Sequence, residues 1–109
     1  MTGAGLLTER VHLQRKAMSA EDEGGHAVVY TPIATVWARV RPLTVRQSFA
    51  EDARGQLASH AVVLRFRTDL RPGDRFVWRD TVLDIEAVAD LDGRRAYVSC
   101  QCSTKTVSA

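Results

Sequence analysis

The sequence predicts a mainly β fold, a small twisted β-barrel of about six strands with one short helix or loop inserted between the second and third strands. Three observations predict it. Several short runs alternate apolar and polar side chains with the two-residue period of a half-buried strand. Turn residues recur at close intervals, as at Gly24-Gly25, Pro72-Gly73 and Asp92-Gly93. After Pro42 the pattern changes, and Val45, Phe49 and Ala53 recur every fourth residue. With 109 residues the chain has room for a single modest core, so residues 1–109 are expected to form one domain.

The first strand is expected in LTERVHLQ, residues 7–14, with Val11 and Leu13 inward and His12 and Gln14 outward. Residues 15–29 pass through Glu21, Asp22 and Glu23 to a glycine pair and predict a long hairpin connection. Pro32 then introduces ATVWARVRPLT, in which Val36, Ala38 and Val40 share one face while Trp37, Arg39 and Arg41 share the other. After Pro42 comes the insertion, residues 43–57. Thr44 with Gln47 can form a capping box, Gly55 is a stop, and a short helix is expected over about 45–54 with a polar outer face.

In SHAVVLRFR, residues 59–67, the inner series is His60, Val62, Leu64 and Phe66, and Val63, Arg65 and Arg67 form the outer one. RPGD has Pro72 and Gly73 where a type II turn requires them. RFVW and TVLDIEAVA follow as strands, joined at Arg79 and Asp80 by a tight hairpin without the usual glycine. Asp92-Gly93 marks the last hairpin, before a strand over 95–103, and 104–109 is expected to be a flexible tail.

Composition excludes several classes. The formal net charge is +2 with acids and bases interspersed, so no block of like charge marks a polyanionic partner. No apolar run approaches the ~20 residues of a membrane-spanning helix. The first residues show no basic stretch followed by an apolar one, so work in the cytoplasm or in an assembly built there is expected. Of 15 basic residues 13 are Arg, which suits planar and stacked contacts in interfaces, although a GC-rich genome produces the same bias. Cys100 and Cys102, two apart on one strand, point to the same face and are expected to be buried thiols rather than a disulfide.

No catalytic, cofactor or metal site is expected. The sequence contains no glycine-rich phosphate loop and no nucleophile elbow, and His12, His26 and His60 lack ligand spacing. Asp84 and Glu86 share a strand face, but solvation or pairing with Arg accounts for them as well as acid–base chemistry does. Ser59 beside His60 is weak evidence for a nucleophile, because strand neighbours point apart. A nucleic-acid-binding small barrel is the alternative function, since Trp37 with Arg39 and Arg41 combines an aromatic platform with cations.

In the order RVHLQR, a Gly-Gly loop, VWARVRPLT, a polar segment, HAVVLRFR, RPGDRFVWRDTVLDIEAVADLDG and RRAYVSCQC, the chain resembles the small head–tail joining proteins of tailed bacteriophages. It departs from the usual pattern at Arg79-Asp80, where a turn glycine is common, and at Cys100, Gln101 and Cys102, where charge is more usual. The resemblance implies a structural part of the neck of a phage, a prophage-derived particle or a gene transfer particle. It implies a homo-oligomeric ring, twelve copies favoured over six, between the portal or adaptor protein and a tail terminator or tail tube protein. Double-stranded DNA would pass through without sequence recognition, and assembly would take place in the host cytoplasm.

Within that frame, Trp37, Arg39, Arg41, Arg65 and Arg67 are candidates for a contact with a neighbouring subunit or the portal, because desolvated Trp and Arg often dominate such contacts. Some members of the family gate DNA with the segment between the second and third strands, which here offers Thr44, Arg46, Gln47, Glu51, Asp52 and Arg54. Glu21, Asp22 and Glu23 form a candidate docking loop.

Overall fold

In the computed structural model, residues 6–20, 26–44 and 58–104 are described. Six strands, β1 (Glu9–Ala20), β2 (His26–Pro42), β3 (His60–Arg65), β4 (Arg75–Trp78), β5 (Thr81–Asp90) and β6 (Tyr97–Thr104), form a closed barrel in the order β1-β2-β3-β6-β5-β4. Every neighbouring pair is antiparallel, and β4 returns to β1 through His12–Val77, Leu13–Phe76 and Gln14–Arg75. Closure removes the exposed edges that an open six-stranded sheet would carry.

The period-two pattern fills the barrel with side chains. Val11 and Leu13, Ala38, Val62 and Leu64, Phe76, Leu83 and Ile85, and Val98, Cys100 and Cys102 point inward and are buried. Phe76 is the largest fully buried side chain, and Val36, Val40, Phe66, Trp78 and Val88 pack around this centre. The interior is therefore a packed core, as expected of a small barrel.

The turns follow local chemistry. Asp74 N–H donates to the Arg71 carbonyl at 3.2 Å across Pro72-Gly73, with Gly73 at φ 97°, as a type II turn requires. Asp92 and Gly93 both have positive φ, 59° and 64°, which places two of the three left-handed residues of the β5–β6 connection on types that tolerate it. Arg79 takes φ 55° in the two-residue β4–β5 hairpin, so an arginine stands where glycine is usual. Arg95 is also left-handed, at φ 56°, so β6 begins at Tyr97 rather than at the expected residue 95.

The largest correction concerns residues 15–29. Residues 15–20 continue β1 and 26–29 begin β2, in register from Arg15–Thr31 to Ala20–His26. Beyond Gln14, β1 has no β4 partner, and before Ala38, β2 has no β3 partner, so the two strands run past the barrel as a two-stranded ribbon. A bulge between Leu13 and Gln14, opposite Ile33, marks its root. The ribbon was not legible as strand because it exposes apolar side chains on both faces, which erases the alternation.

The root is clamped from two sides. The Asp74 carboxylate, only 3% exposed, accepts the Lys16 backbone N–H at 3.0 Å and Arg15 Nε at 3.4 Å, and Arg15 also donates to the Asp69 carbonyl. On the outer side Arg75 donates to Gln14 at 2.7 Å and lies 3.7 Å over the Tyr30 ring. At the far end of β2, Leu43 N–H donates to the Ser59 carbonyl at 2.9 Å, so the insertion leaves and re-enters the barrel at adjacent points. The expected helix over 45–54 and the tail beyond Thr104 lie outside the described residues.

Candidate interaction face

The outward series of β2 begins with Trp37, Arg39 and Arg41, as its alternation predicted. In register, Arg39 lies across from Val63 and Arg41 across from Ala61 on β3, while Arg65 lies across from Tyr97 on β6. Trp37 is 53% exposed, Arg39 and Arg65 are exposed, and Arg41 is half-buried. On the β1 side Arg10 pairs with Trp37 and sets its guanidinium 5.1 Å from the indole centre. Arg10 escapes a reading of the sequence because its place beside Trp37 depends on the β1–β2 register, which the ribbon fixes.

Where β3 diverges from β2 below the Ala38–Leu64 pair, a recess of about 280 Å³ opens. Val36, Leu64 and Phe66 line it together with Trp37, Arg65 and Arg67. Arg67 is not a free cation: its Nε and Nη2 donate to the two Asp69 oxygens at 2.9 and 2.8 Å. That fork holds the Asp69 carboxyl below its ordinary pKa and raises that of Arg67. Arg95 lies 5.2 Å over the Phe66 ring and adds a further cation beside the recess.

The charge pattern of this face is its clearest property. The strands β2, β3 and β6 are contiguous in the barrel and contain no Asp or Glu, while their outward side chains include Arg39, Arg41 and Arg65. Strand carboxylates sit elsewhere, on Glu9 of β1 and on Asp84, Glu86 and Asp90 of β5. Although charges are interspersed along the chain, folding sorts them, leaving a cationic face on β2 and β3, flanked by the uncharged β6, with a half-exposed indole.

The remaining candidates are structural or fall elsewhere. Ser59 Oγ and His60 Nδ1 are 2.9 Å apart, contrary to the expectation that they diverge, because Ser59 precedes the strand. Its hydroxyl also accepts the Thr104 N–H at 3.0 Å, so the pair ties the start of β3 to the end of β6. Burial beside Trp78 lowers the His60 pKa and favours the neutral ring. Glu86 accepts the Ser103 hydroxyl at 2.6 Å, and Asp84 lies across from Arg75. Among the described residues no group of three or more His, Cys, Asp or Glu comes together to hold a metal ion. Thr44 is exposed at the end of β2; Arg46, Gln47, Glu51, Asp52, Arg54, Glu21, Asp22 and Glu23 lie outside the described residues.

Comparison with known proteins places this barrel. A solution structure of a protein from Shigella flexneri 2a is similar to it with a TM-score of 0.76 and 18% identity, covering 97% of this chain and 99% of that one. A chain in the virion of a native gene transfer agent particle is similar with a TM-score of 0.65 and 24% identity, over 88% of this chain and 92% of the other. No curated protein matches the sequence. The family model described as phage head completion protein matches residues 3–105, nearly the whole chain, and the protein therefore belongs to the phage head completion protein family.

Proposed function

We propose that the protein is a subunit of a ring in the neck of a tailed phage or phage-like gene transfer particle, where it extends or closes the DNA channel and offers a docking surface to the tail. The match to the head completion family over residues 3–105 carries this reading: the protein is a structural component of a virion-type particle. The geometry supports the finer role, because a closed barrel with a Trp-bearing face whose strands carry no carboxylate is suited to packing against a protein neighbour. Trp37, Arg39, Arg41 and Arg65 make the contact with a neighbouring copy or the portal. Arg67 supports the face through Asp69.

In this role the insertion 43–57 regulates DNA exit. Its mixed charges, Arg46, Glu51, Asp52 and Arg54, give DNA no continuous cationic grip. The acidic link Glu21–Glu23 is a second docking point for portal or tail protein. Electron microscopy of particles from a producing strain lacking this gene tests the whole reading. Full or leaking heads beside unattached tails are expected; normal tailed particles that retain DNA would refute it. In the same assay a deletion of residues 44–57 should give joined particles that leak DNA, and normal retention would remove the gating role.

The cationic face also favours a second reading, a nucleic-acid-binding barrel. The isolated chain would then bind DNA with an affinity that falls steeply with salt and is lost when Trp37, Arg39 and Arg41 are replaced together.

A further inference from the structure

The ribbon formed by β1 and β2 has an exposed surface that the proposed role leaves unused. Met18 and Val28 face each other across the two strands, 62% and 48% exposed, Val29 is exposed on the opposite face of the ribbon, and Ile33 is exposed at its root. Together with Leu6 and Trp37, these are the exposed large hydrophobic residues of the described chain. A two-stranded ribbon in water is marginally stable by itself, and clustered apolar exposure of this kind marks a docking surface. Strand addition is disfavoured at the outer edge of β2, because Pro32 lacks an N–H and the bulge at Ile33 breaks the ladder. The exposed apolar side chains are a separate surface that strand addition would not cover.

The occupant can be read from the same chain. The recess at Val36, Trp37, Leu64 and Phe66 is a second apolar surface and is concave, whereas the ribbon projects past the barrel. One molecule cannot join the two. Val28 and Trp37 are on the same strand, nine residues and so ~30 Å apart, in a ribbon whose root is clamped by Asp74 and Arg75. Two different, complementary surfaces on one chain that cannot meet internally are the requirement for a heterologous contact between copies. Charge agrees: cations rim the recess, and the five residues joining β1 to β2 carry three carboxylates in sequence.

We propose that the apolar end of the β1–β2 ribbon, Met18 and Val28, seats in the Trp37 recess of a second copy of this chain. This contact deepens the neck reading by naming the partner of the Trp37 face, and rests on it only in taking the particle as the place where copies meet. Each copy gives a ribbon and receives one, so the contact propagates in one direction and closes if the rotation between copies closes.

Thiol cross-linking in assembled particles tests it. The native thiols Cys100 and Cys102 are buried, so Met18→Cys together with Thr68→Cys, just beyond the recess residue Arg67, supplies the accessible pair. A short thiol-to-thiol cross-linker should produce a ladder of dimers, trimers and higher multiples of this chain in the double variant, and none in either single variant. Particles that contain the double variant and joined tails but give no ladder would overturn the proposal while leaving the neck role intact. Dimers from the single Met18→Cys variant, or linkage of that cysteine to another particle protein, would also overturn it. Absence of the wild-type chain from complete particles would instead refute the neck role. As a second variant, Met18→Asp with Val28→Asp should keep the wild-type circular dichroism spectrum yet enter particles at less than a tenth of the wild-type level. Entry at the wild-type level would refute the contact.

Discussion

At the scale of single residues, burial decides chemistry. Cys100 and Cys102 project into the core from alternate positions of β6, and Cys102 Sγ lies 3.6 Å from the Cys100 carbonyl oxygen. Burial pushes the Cys100 thiol up to about 12, and Cys102 is also raised, by burial first and then by Cys100 and the carboxylates Asp84 and Glu86. Both thiols are thus protonated and inaccessible at neutral pH. A disulfide reagent at pH 8 should label neither in the native state and both after denaturation, with labelling following global unfolding. Fast labelling of the folded chain would contradict the packed core. The linkage has a definite sign: because the folded pKa values lie above the unfolded value near 9, the thiols' contribution to stability is present below pH 9 and falls as pH rises beyond it. Glu9 runs the other way. Trp78 Nε1 donates to it at 2.9 Å and Arg79 at 3.0 Å, which lowers its pKa, so its contribution is present above the ordinary carboxylate range and is lost in acid.

At the scale of elements, the β3, β4, β5 and β6 strands and the RPGD turn were legible because each has a buried face and a wet one, or a Pro-Gly pair in which the ring fixes the proline φ and glycine tolerates the positive φ that follows. KAMSA and HAVVY were not legible as strand. Their apolar residues face a space the lone chain does not fill, and without a buried side a strand loses its period. The same gap hid Arg10 from the candidate face. In contrast, Trp37, Arg39 and Arg41 were found correctly as one outward series because their strand has a core behind it. The ribbon's root should be sensitive to one carboxylate. Asp74→Ala leaves the Lys16 N–H without its acceptor and Arg15 with only its bond to the Asp69 carbonyl, a loss of about 1–3 kcal/mol. Urea unfolding should record that loss, and hydrogen exchange should show the largest loss of protection at residues 15–17. Unchanged protection there would mean the clamp does not hold the ribbon.

At the scale of the whole molecule, the core and the exposed face use different residues of the same strands. Inward side chains of β2 and β3, Val36, Ala38, Val40, Val62 and Leu64, belong to the core and its margin, while the outward Arg39 and Arg65 contact solvent in the single chain. A net charge of +2 conceals this division, because the carboxylates that balance the arginines lie outside β2, β3 and β6. Under the proposed neck role such a face costs the monomer little and gains its value against a neighbour. Arg39→Ala with Arg41→Ala therefore removes charge without opening a cavity, a change within about 0.5 kcal/mol per site. For a domain of this size that shifts the melting temperature by no more than about 8 °C for the pair. Incorporation into particles should fall much further, below detection in a blot of purified particles, because the cations lost are those a partner would desolvate. Normal incorporation would remove the arginines from the interface. Collapse of the melting temperature would show instead that they stabilise the barrel, and the separation of faces argued from the register would fail with it.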